Sequence, residues 1–141
     1  MEPIFLAFIF ALVFIIVYVF FFRKSKEWRD KKSYYLKRFS RNKEQSIRHI
    51  NEVEALAILN NAGHKKAFSD REVTFSEYLE KLRLKHENDY SESSYKVLMR
   101  NKLSQSQKQE YTKKLIEQSE DLYLMEVDLN VLSKTWNKLV S

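Results

Sequence analysis

The sequence has no cysteine, one glycine and one proline among its 141 residues. Without cysteine, the chain cannot form a disulfide, attack a substrate through a thiolate or hold zinc through sulfur. The single glycine, Gly63, cannot form a glycine-rich phosphate loop. Scarce glycine and proline also disfavour the tight turns of β-hairpins. These absences exclude cysteine enzymes, disulfide-stabilised domains and P-loop proteins.

Charge is absent from residues 3–22, which also contain no serine, threonine, asparagine or glutamine. A helix rises about 1.5 Å per residue, so this segment matches the roughly 30 Å hydrocarbon core of a bilayer. We therefore predict a transmembrane anchor, of the signal-anchor type, over residues 1–23. A cleaved signal peptide is disfavoured because Glu2 makes the leader acidic and no small-residue cleavage site follows the apolar segment.

A basic segment follows the apolar one directly. Residues 23–50 contain eleven Lys or Arg and three acidic residues. Basic flanks stay on the cytoplasmic side of a membrane. We therefore predict a single-pass integral membrane protein with its N-terminus outside and its C-terminal domain in the cytoplasm, and we assign residues 24–50 to a basic juxtamembrane helix. The residues expected to set this topology and to lie near lipid headgroups are Arg23, Lys24, Lys26, Trp28, Arg29, Lys31 and Lys32.

The mixture of basic and aromatic residues in this flank is typical of two kinds of binding surface. Anionic lipid headgroups are one partner for such a surface, and single-stranded nucleic acid is the other. The membrane accounts for the positive charge by itself, and residues 51–141 contain fourteen basic and fifteen acidic residues. Contact with anionic lipid therefore stays an open alternative, whereas nucleic acid is disfavoured.

The apolar segment also contains a candidate contact with another membrane helix. Ala7 and Ala11 are four residues apart, a spacing of small residues that lets a second helix approach closely. Tyr18 lies on the same side of the helix. No ionisable residue lies in the segment, so an ion pathway formed by this helix alone is not expected.

The rest of the sequence has helical periodicity, and no segment alternates apolar and polar residues as a strand does. The predicted fold is all-α, with the single N-terminal transmembrane helix followed by a cytoplasmic bundle of three to four helices. The bundle domain is assigned to residues 51–141. The first helix is expected to continue to about Asn61, because Gly63 suits the left-handed conformation that ends a helix.

Capping motifs and polar segments predict the next boundaries. Ser69 and Glu72 have the spacing of a capping box, so a second helix is predicted to begin near Asp70. The polar residues 87–94 predict a loop. A short third helix is expected over residues 94–103.

The last helix, predicted over residues 106–140, has the clearest pattern. Either Ser104 with Gln107 or Ser106 with Gln109 offers a capping box at its start. Apolar residues then recur in a coiled-coil heptad pattern, interrupted at Gln118, and predict a helix-packing interface. This interface comprises Leu115, Leu122, Met125, Leu129, Leu132, Trp136 and Leu139. Further apolar residues widen the pattern and favour a bundle core: they are Ile116, Tyr123, Leu124, Val127 and Val131. The pattern leaves open whether the helix packs within the chain or against a partner.

No residue pattern defines a catalytic, metal or cofactor site. The segment from Asp70 to Glu77 is similar to the second half of a calcium loop, but Lys66 and Phe68 occupy positions that require oxygen ligands. The histidines are scattered, and none lies near a nucleophile in sequence. We therefore expect no catalytic residue, no metal and no cofactor.

These observations favour a non-enzymatic, membrane-anchored adaptor, accessory subunit or assembly factor of a larger membrane protein complex. It would act by tethering and by helix–helix interaction with a protein partner. The alternative is a self-associating, membrane-active effector such as a toxin, a holin-like protein or an exclusion factor. An effector of that kind would act on the bilayer without a fixed partner.

Overall fold

The computed structural model describes residues 3–100 and 103–137, and within these ranges the regular structure is helical. Helix α1 covers Pro3–Leu59, α2 covers Phe75–Asp89, α3 covers Glu92–Met99 and α4 covers Gln105–Trp136. One isolated antiparallel bridge joins Lys66 to Thr74. The prediction of an all-α protein with a long apolar helix at its N-terminus is therefore confirmed for the described residues.

The chain divides into two compact units, residues 1–34 and residues 35–141. The second unit includes part of the segment that the sequence assigns to the juxtamembrane helix, residues 24–50. That part has one buried face, since Phe39, Asn42 and Ser46 are buried while residues 40, 41, 43 and 44 between them are exposed.

Helix α1 ends in a Schellman motif. The amide of Ala62 donates to the carbonyl of Ala57 at 2.8 Å, and the amide of Asn61 donates to the carbonyl of Ile58 at 3.1 Å. Asn61 has the positive φ, 47°, that this motif requires. The expectation that Gly63 supplies the left-handed residue is therefore wrong, because asparagine also tolerates this conformation.

Helix α2 begins about one turn later than predicted. Its capping box joins Thr74 and Glu77: the Glu77 amide donates to the Thr74 hydroxyl at 3.3 Å, and the Glu77 carboxylate accepts from the Thr74 amide at 2.9 Å. The predicted start near Asp70 is wrong because the segment from Asp70 to Thr74 is not helical. The amide of Ala67 donates to the carbonyl of Val73 at 2.9 Å. This bond joins the two ends of a loop that contains Ser69, so Ser69 does not begin a helix.

The boundaries around α3 differ from the prediction by a few residues. Helix α2 continues to Asp89 and α3 starts at Glu92, so the predicted loop over residues 87–94 is too long. Ser91 caps α3 through its hydroxyl, which accepts from the Ser94 amide at 3.2 Å. Helix α4 begins at Gln105, within one residue of the predicted start, and of the two possible caps Ser104 and Gln107 form the capping box.

The apolar core of the second unit consists of two clusters of buried residues. The larger one joins α1, α2, α4 and the loop before α2; its members are Ile50, Val53, Leu56, Ala57, Ala62, Ala67, Phe68, Phe75, Tyr78, Leu79, Leu82, Leu129, Leu132 and Trp136. The smaller one joins α1, α3 and α4 to the residue that caps the end of α2; its members are Phe39, Tyr90, Leu98 and Leu115. Burial of these side chains is the main favourable contribution to folding.

Candidate functional site

The heptad residues of α4 face the inside of the second unit. Leu132 is completely buried, and the indole Nε1 of Trp136 donates to the Ala67 carbonyl at 3.2 Å. Met125 is partly buried against the larger cluster. The remaining heptad residues are buried as well, except Leu139, which lies outside the described residues; they are Leu115, Leu122 and Leu129. This face of α4 therefore packs within the chain and is closed to a partner.

A polar layer lies on the same inner face, at the interruption of the heptad pattern. Gln118 is buried; it accepts from the Asn42 amide at 3.5 Å and donates to the Asp89 carbonyl at 3.4 Å. In the same region, Nδ1 of His86 lies 2.9 Å from the hydroxyl of buried Ser46. Buried amides need such partners because an unsatisfied polar group costs about 1–3 kcal/mol. The heptad pattern identified Gln118 as its polar interruption. The buried polar residues of α1, at positions 42, 46 and 49, were not predicted.

Two histidines belong to this layer. His49 is buried, and its Nδ1 has no hydrogen-bond partner among the described residues. Burial lowers the pKa of His49 despite the nearby carboxylates of Glu52 and Glu126. Burial also lowers the pKa of His86, with a further contribution from Lys43. Burial therefore disfavours the protonated form of both imidazoles, and the hydroxyl that pairs with His86, that of Ser46, is itself buried.

The carboxylate of Asp128, on α4, holds the loop that precedes α2 through hydrogen bonds. Both oxygens of Asp128 accept from the Arg71 guanidinium, at 2.7 and 2.9 Å, and the hydroxyl of Tyr78 donates to Asp128 at 3.0 Å. Burial is the first cause of the raised pKa of Tyr78, and Asp128 is the second. Asp128 therefore has a structural role and leaves no free carboxylate at this position.

The outer face of α4 carries a second apolar stripe. At about 100° per residue, its members lie on the side of the helix opposite Leu129 and Leu132. They are exposed by 42–66% and comprise Ile116, Tyr123, Leu124, Val127 and Val131. The expectation that these residues widen a bundle core is wrong, because the other helices cover only one side of α4. We call them the outer stripe.

The N-terminal part of α1 is also uncovered. It contains an 18-residue stretch with mean hydropathy 3.1, none of it buried, and is long and apolar enough to cross a membrane. Ala7 and Ala11 are exposed on this segment, and the ring of Tyr18 stacks on Phe22 with centroids 6.3 Å apart. The described structure shows no contact between these small residues and another helix.

The basic residues after the apolar stretch lie on the same helix. Lys24 places its ammonium 5.0 Å from the centre of the Phe20 ring. Trp28 and Lys32 are partly buried. The other residues predicted to set topology are exposed; they are Arg23, Lys26, Arg29 and Lys31. Their exposure leaves them available to lipid headgroups or to a partner.

The described residues contain no group of three or more His, Asp or Glu side chains that could hold a metal ion. Glu77, the residue that the calcium-loop comparison singled out, instead completes the cap of α2, and the Thr74 amide lowers its pKa. Three surfaces are candidate binding sites: the outer stripe, the uncovered N-terminal part of α1 and a groove between α1 and α4.

Comparison with known proteins adds no assignment: no protein-family model, curated protein or solved structure is significantly similar to this chain.

Proposed function

We propose that this protein is a non-enzymatic, membrane-anchored adaptor or accessory subunit of a larger membrane protein complex. The N-terminal apolar helix spans the membrane and holds the helical domain at its surface. Tethering of this kind raises the effective concentration of the domain for partners in the same membrane. The domain then binds its partner through helix–helix packing.

The observation that supports this proposal is the outer stripe. Exposed apolar residues scattered singly are normal, but a contiguous apolar patch on a soluble surface is typical of an interaction site. Leu124 and Val127 lie in the middle of the stripe and are 60% and 42% exposed. Helix recognition uses anchors at this spacing along one face.

Charge around the stripe defines the partner further. Glu117 borders the stripe, Glu120 lies within it between Ile116 and Leu124, and helix α4 has no basic residue between Lys114 and Lys134. The acidic rim favours a partner helix with an apolar face and basic flanks, because charge complementarity steers association. We therefore expect a helix of this composition from another protein of the complex.

The test is recovery of the tagged full-length chain from its native membrane in mild detergent, with mass spectrometry for stoichiometry. A partner recovered near one-to-one supports the proposal. Leu124→Asp should abolish its recovery, because a charge would lie at the centre of an apolar contact. Leu84→Asp is the matched control, since Leu84 is also an exposed leucine, 55% accessible, on a different helix.

Recovery of the chain alone, or only with itself, would contradict the adaptor proposal and favour the membrane-active effector. Equal partner recovery with Leu124→Asp and wild type would remove the outer stripe from the proposal. Leakage of liposomes that contain the purified chain would then be the next measurement.

Orientation needs its own test. We propose that the N-terminus lies outside and the domain in the cytoplasm, because residues 23–50 carry eleven basic and three acidic residues. Replacing the Lys and Arg residues of 23–43 with Gln should randomise protease accessibility of the domain in intact cells. Retained orientation would contradict the assignment, and a mature chain shortened at its N-terminus would show a cleaved signal sequence in place of an anchor.

A further inference from the structure

A polar groove runs between α1 and α4 within the second unit. Its volume is about 740 Å³, within the size range of small-molecule sites. On α1 the lining residues recur at helical spacing on one face. The principal polar residues that line the groove are Arg38, Arg41, Gln45 and Arg48 from α1, and Ser119 and Tyr123 from α4.

Among the described residues, only one of the three arginines of this groove has a carboxylate partner, and that contact is long. Arg38 donates to the neutral hydroxyl of Ser119 at 3.0 Å. Arg48 forms a long ion pair with Glu52, with 3.9 Å between the guanidinium Nε and a carboxylate oxygen. Arg41 is exposed and forms no ion pair or side-chain hydrogen bond within the described residues. Three guanidinium groups therefore converge on one groove with unused donors.

Elsewhere on the same domain, basic side chains form short ion pairs with carboxylates, unlike the arginines of the groove. Lys85 is 2.7 Å from Asp121, and Arg83 is 2.7 Å from Glu54. The groove itself contains two carboxylates, Glu44 and Glu126, yet neither forms an ion pair with its arginines among the described residues. The two carboxylates that line the groove therefore leave its guanidinium donors open to an external anion.

We propose that the groove binds a phosphate monoester, carried either by a small soluble molecule or by a lipid headgroup. Guanidinium groups donate two parallel hydrogen bonds to phosphate oxygens, a geometry that lysine does not offer. The hydroxyls of Ser119 and Tyr123 line the opposite wall, and the buried side chain of Leu122 provides an apolar contact for the organic part.

The charge balance argues against a long polyanion. Three arginines and two glutamates line the groove, a formal sum of +1. An extended nucleic acid requires a longer basic track with stacked aromatic side chains. One phosphate group of one or two negative charges suits this lining.

The test uses the full-length chain in phosphatidylcholine nanodiscs. In one arm, inorganic phosphate is titrated and binding is measured by calorimetry. In the other arm, phosphatidic acid is added to the nanodisc lipids and the midpoint of thermal unfolding is measured, with phosphatidylserine as the comparison lipid. Binding to the folded state should raise that midpoint.

Arg41→Gln should weaken binding on the order of tenfold, because one charge-assisted interaction is lost. Lys43→Gln is the matched control: Lys43 is exposed on the same helix, lies outside the groove and carries the same charge. Binding of inorganic phosphate that depends on Arg41 would identify a soluble ligand, and a response to phosphatidic acid alone would identify a lipid headgroup.

Two results would overturn the inference. One is the absence of saturable binding in both arms. The other is an equal loss of binding in Arg41→Gln and Lys43→Gln, which would indicate general electrostatic attraction to the basic segment. Helicity and unfolding of both variants should match the wild type, because neither side chain is buried.

Discussion

The two faces of α4 are made from the same kinds of residue and have opposite surroundings. Leu132 on the inner face is completely buried, whereas Leu124 on the outer face is 60% exposed, two turns away on the same helix. Apolar character therefore does not distinguish a core face from a surface face. What distinguishes them is the number of other helices available to cover α4, and this domain provides cover for one side.

The largest expected effect comes from comparing one substitution on each face of α4. Leu132→Ala should lower the free energy of unfolding by about 2–5 kcal/mol, because it leaves a cavity in the larger cluster. Leu124→Ala should change it by less than about 0.5 kcal/mol, as expected for an exposed site. Chemical denaturation of the two variants measures the difference. Similar losses for both would show that the outer face is covered in the protein's native state.

A second pair of substitutions compares acidic residues of the two faces. Asp128→Ala removes the acceptor of Arg71 and of the buried Tyr78 hydroxyl, and should cost about 1–3 kcal/mol. Glu120→Ala is the control, because Glu120 is exposed on the outer face. Its effect should stay within about 0.5 kcal/mol. An equal effect of the two changes would mean that the Asp128 contacts contribute nothing net.

The sequence predicted the inner face of α4 better than the boundaries before it. Leu115, Leu122 and Leu129 stand at heptad spacing, and such spacing depends on helix geometry alone. The predicted start of α2 is wrong because two capping boxes compete, and the backbone hydrogen bond from Ala67 to Val73 across the loop favours Thr74 over Ser69. Local propensity contains no information about that pairing.

The candidate binding surfaces, like the helix boundaries, were predicted only in part. The exposure of Val127 and the convergence of Arg38, Arg41 and Arg48 on a groove depend on where α1 and α4 meet, which no local pattern encodes. The arginines were counted in the sequence only as part of a basic segment. Their spacing of three, then seven residues already placed them on one face of α1, and this signal could have identified the arginine cluster but not the groove.

A smaller effect is expected from pH, and it tests the polar layer of the inner face. The pKa values of His49 and His86 are lowered in the folded state, so the unfolded chain binds more protons below its usual histidine pKa of about 6.5. Stability should therefore be full above that pH and should fall as the pH drops below it. Denaturation midpoints between pH 7 and 5 measure the loss.

His49→Gln should reduce this pH dependence, because one of the two groups is removed. Its control is His64→Gln, since His64 is exposed in the loop after α1. A pH dependence unchanged in His49→Gln would show that His86 alone, or the carboxylates, account for the loss.

The smallest expected effect belongs to a near-isosteric change in the outer stripe. Val127→Thr alters one exposed side chain and should leave the unfolding curve unchanged within about 0.5 kcal/mol. It adds a hydroxyl to an apolar contact, so recovery of a bound partner should fall without a change in stability. A stability change with unaltered recovery would assign Val127 to the fold and not to an interface.

The bond between Gln118 and Asn42 also limits how α4 can be positioned along α1. Apolar heptads by themselves permit a helix to slide by seven residues and still bury leucine against leucine. Here such a slide would carry Gln118 away from Asn42 and from the Asp89 carbonyl, and would leave two buried amide side chains without these hydrogen bonds. Only one axial alignment of the two helices satisfies both amides, so the polar layer fixes the register of the domain at the cost of some burial.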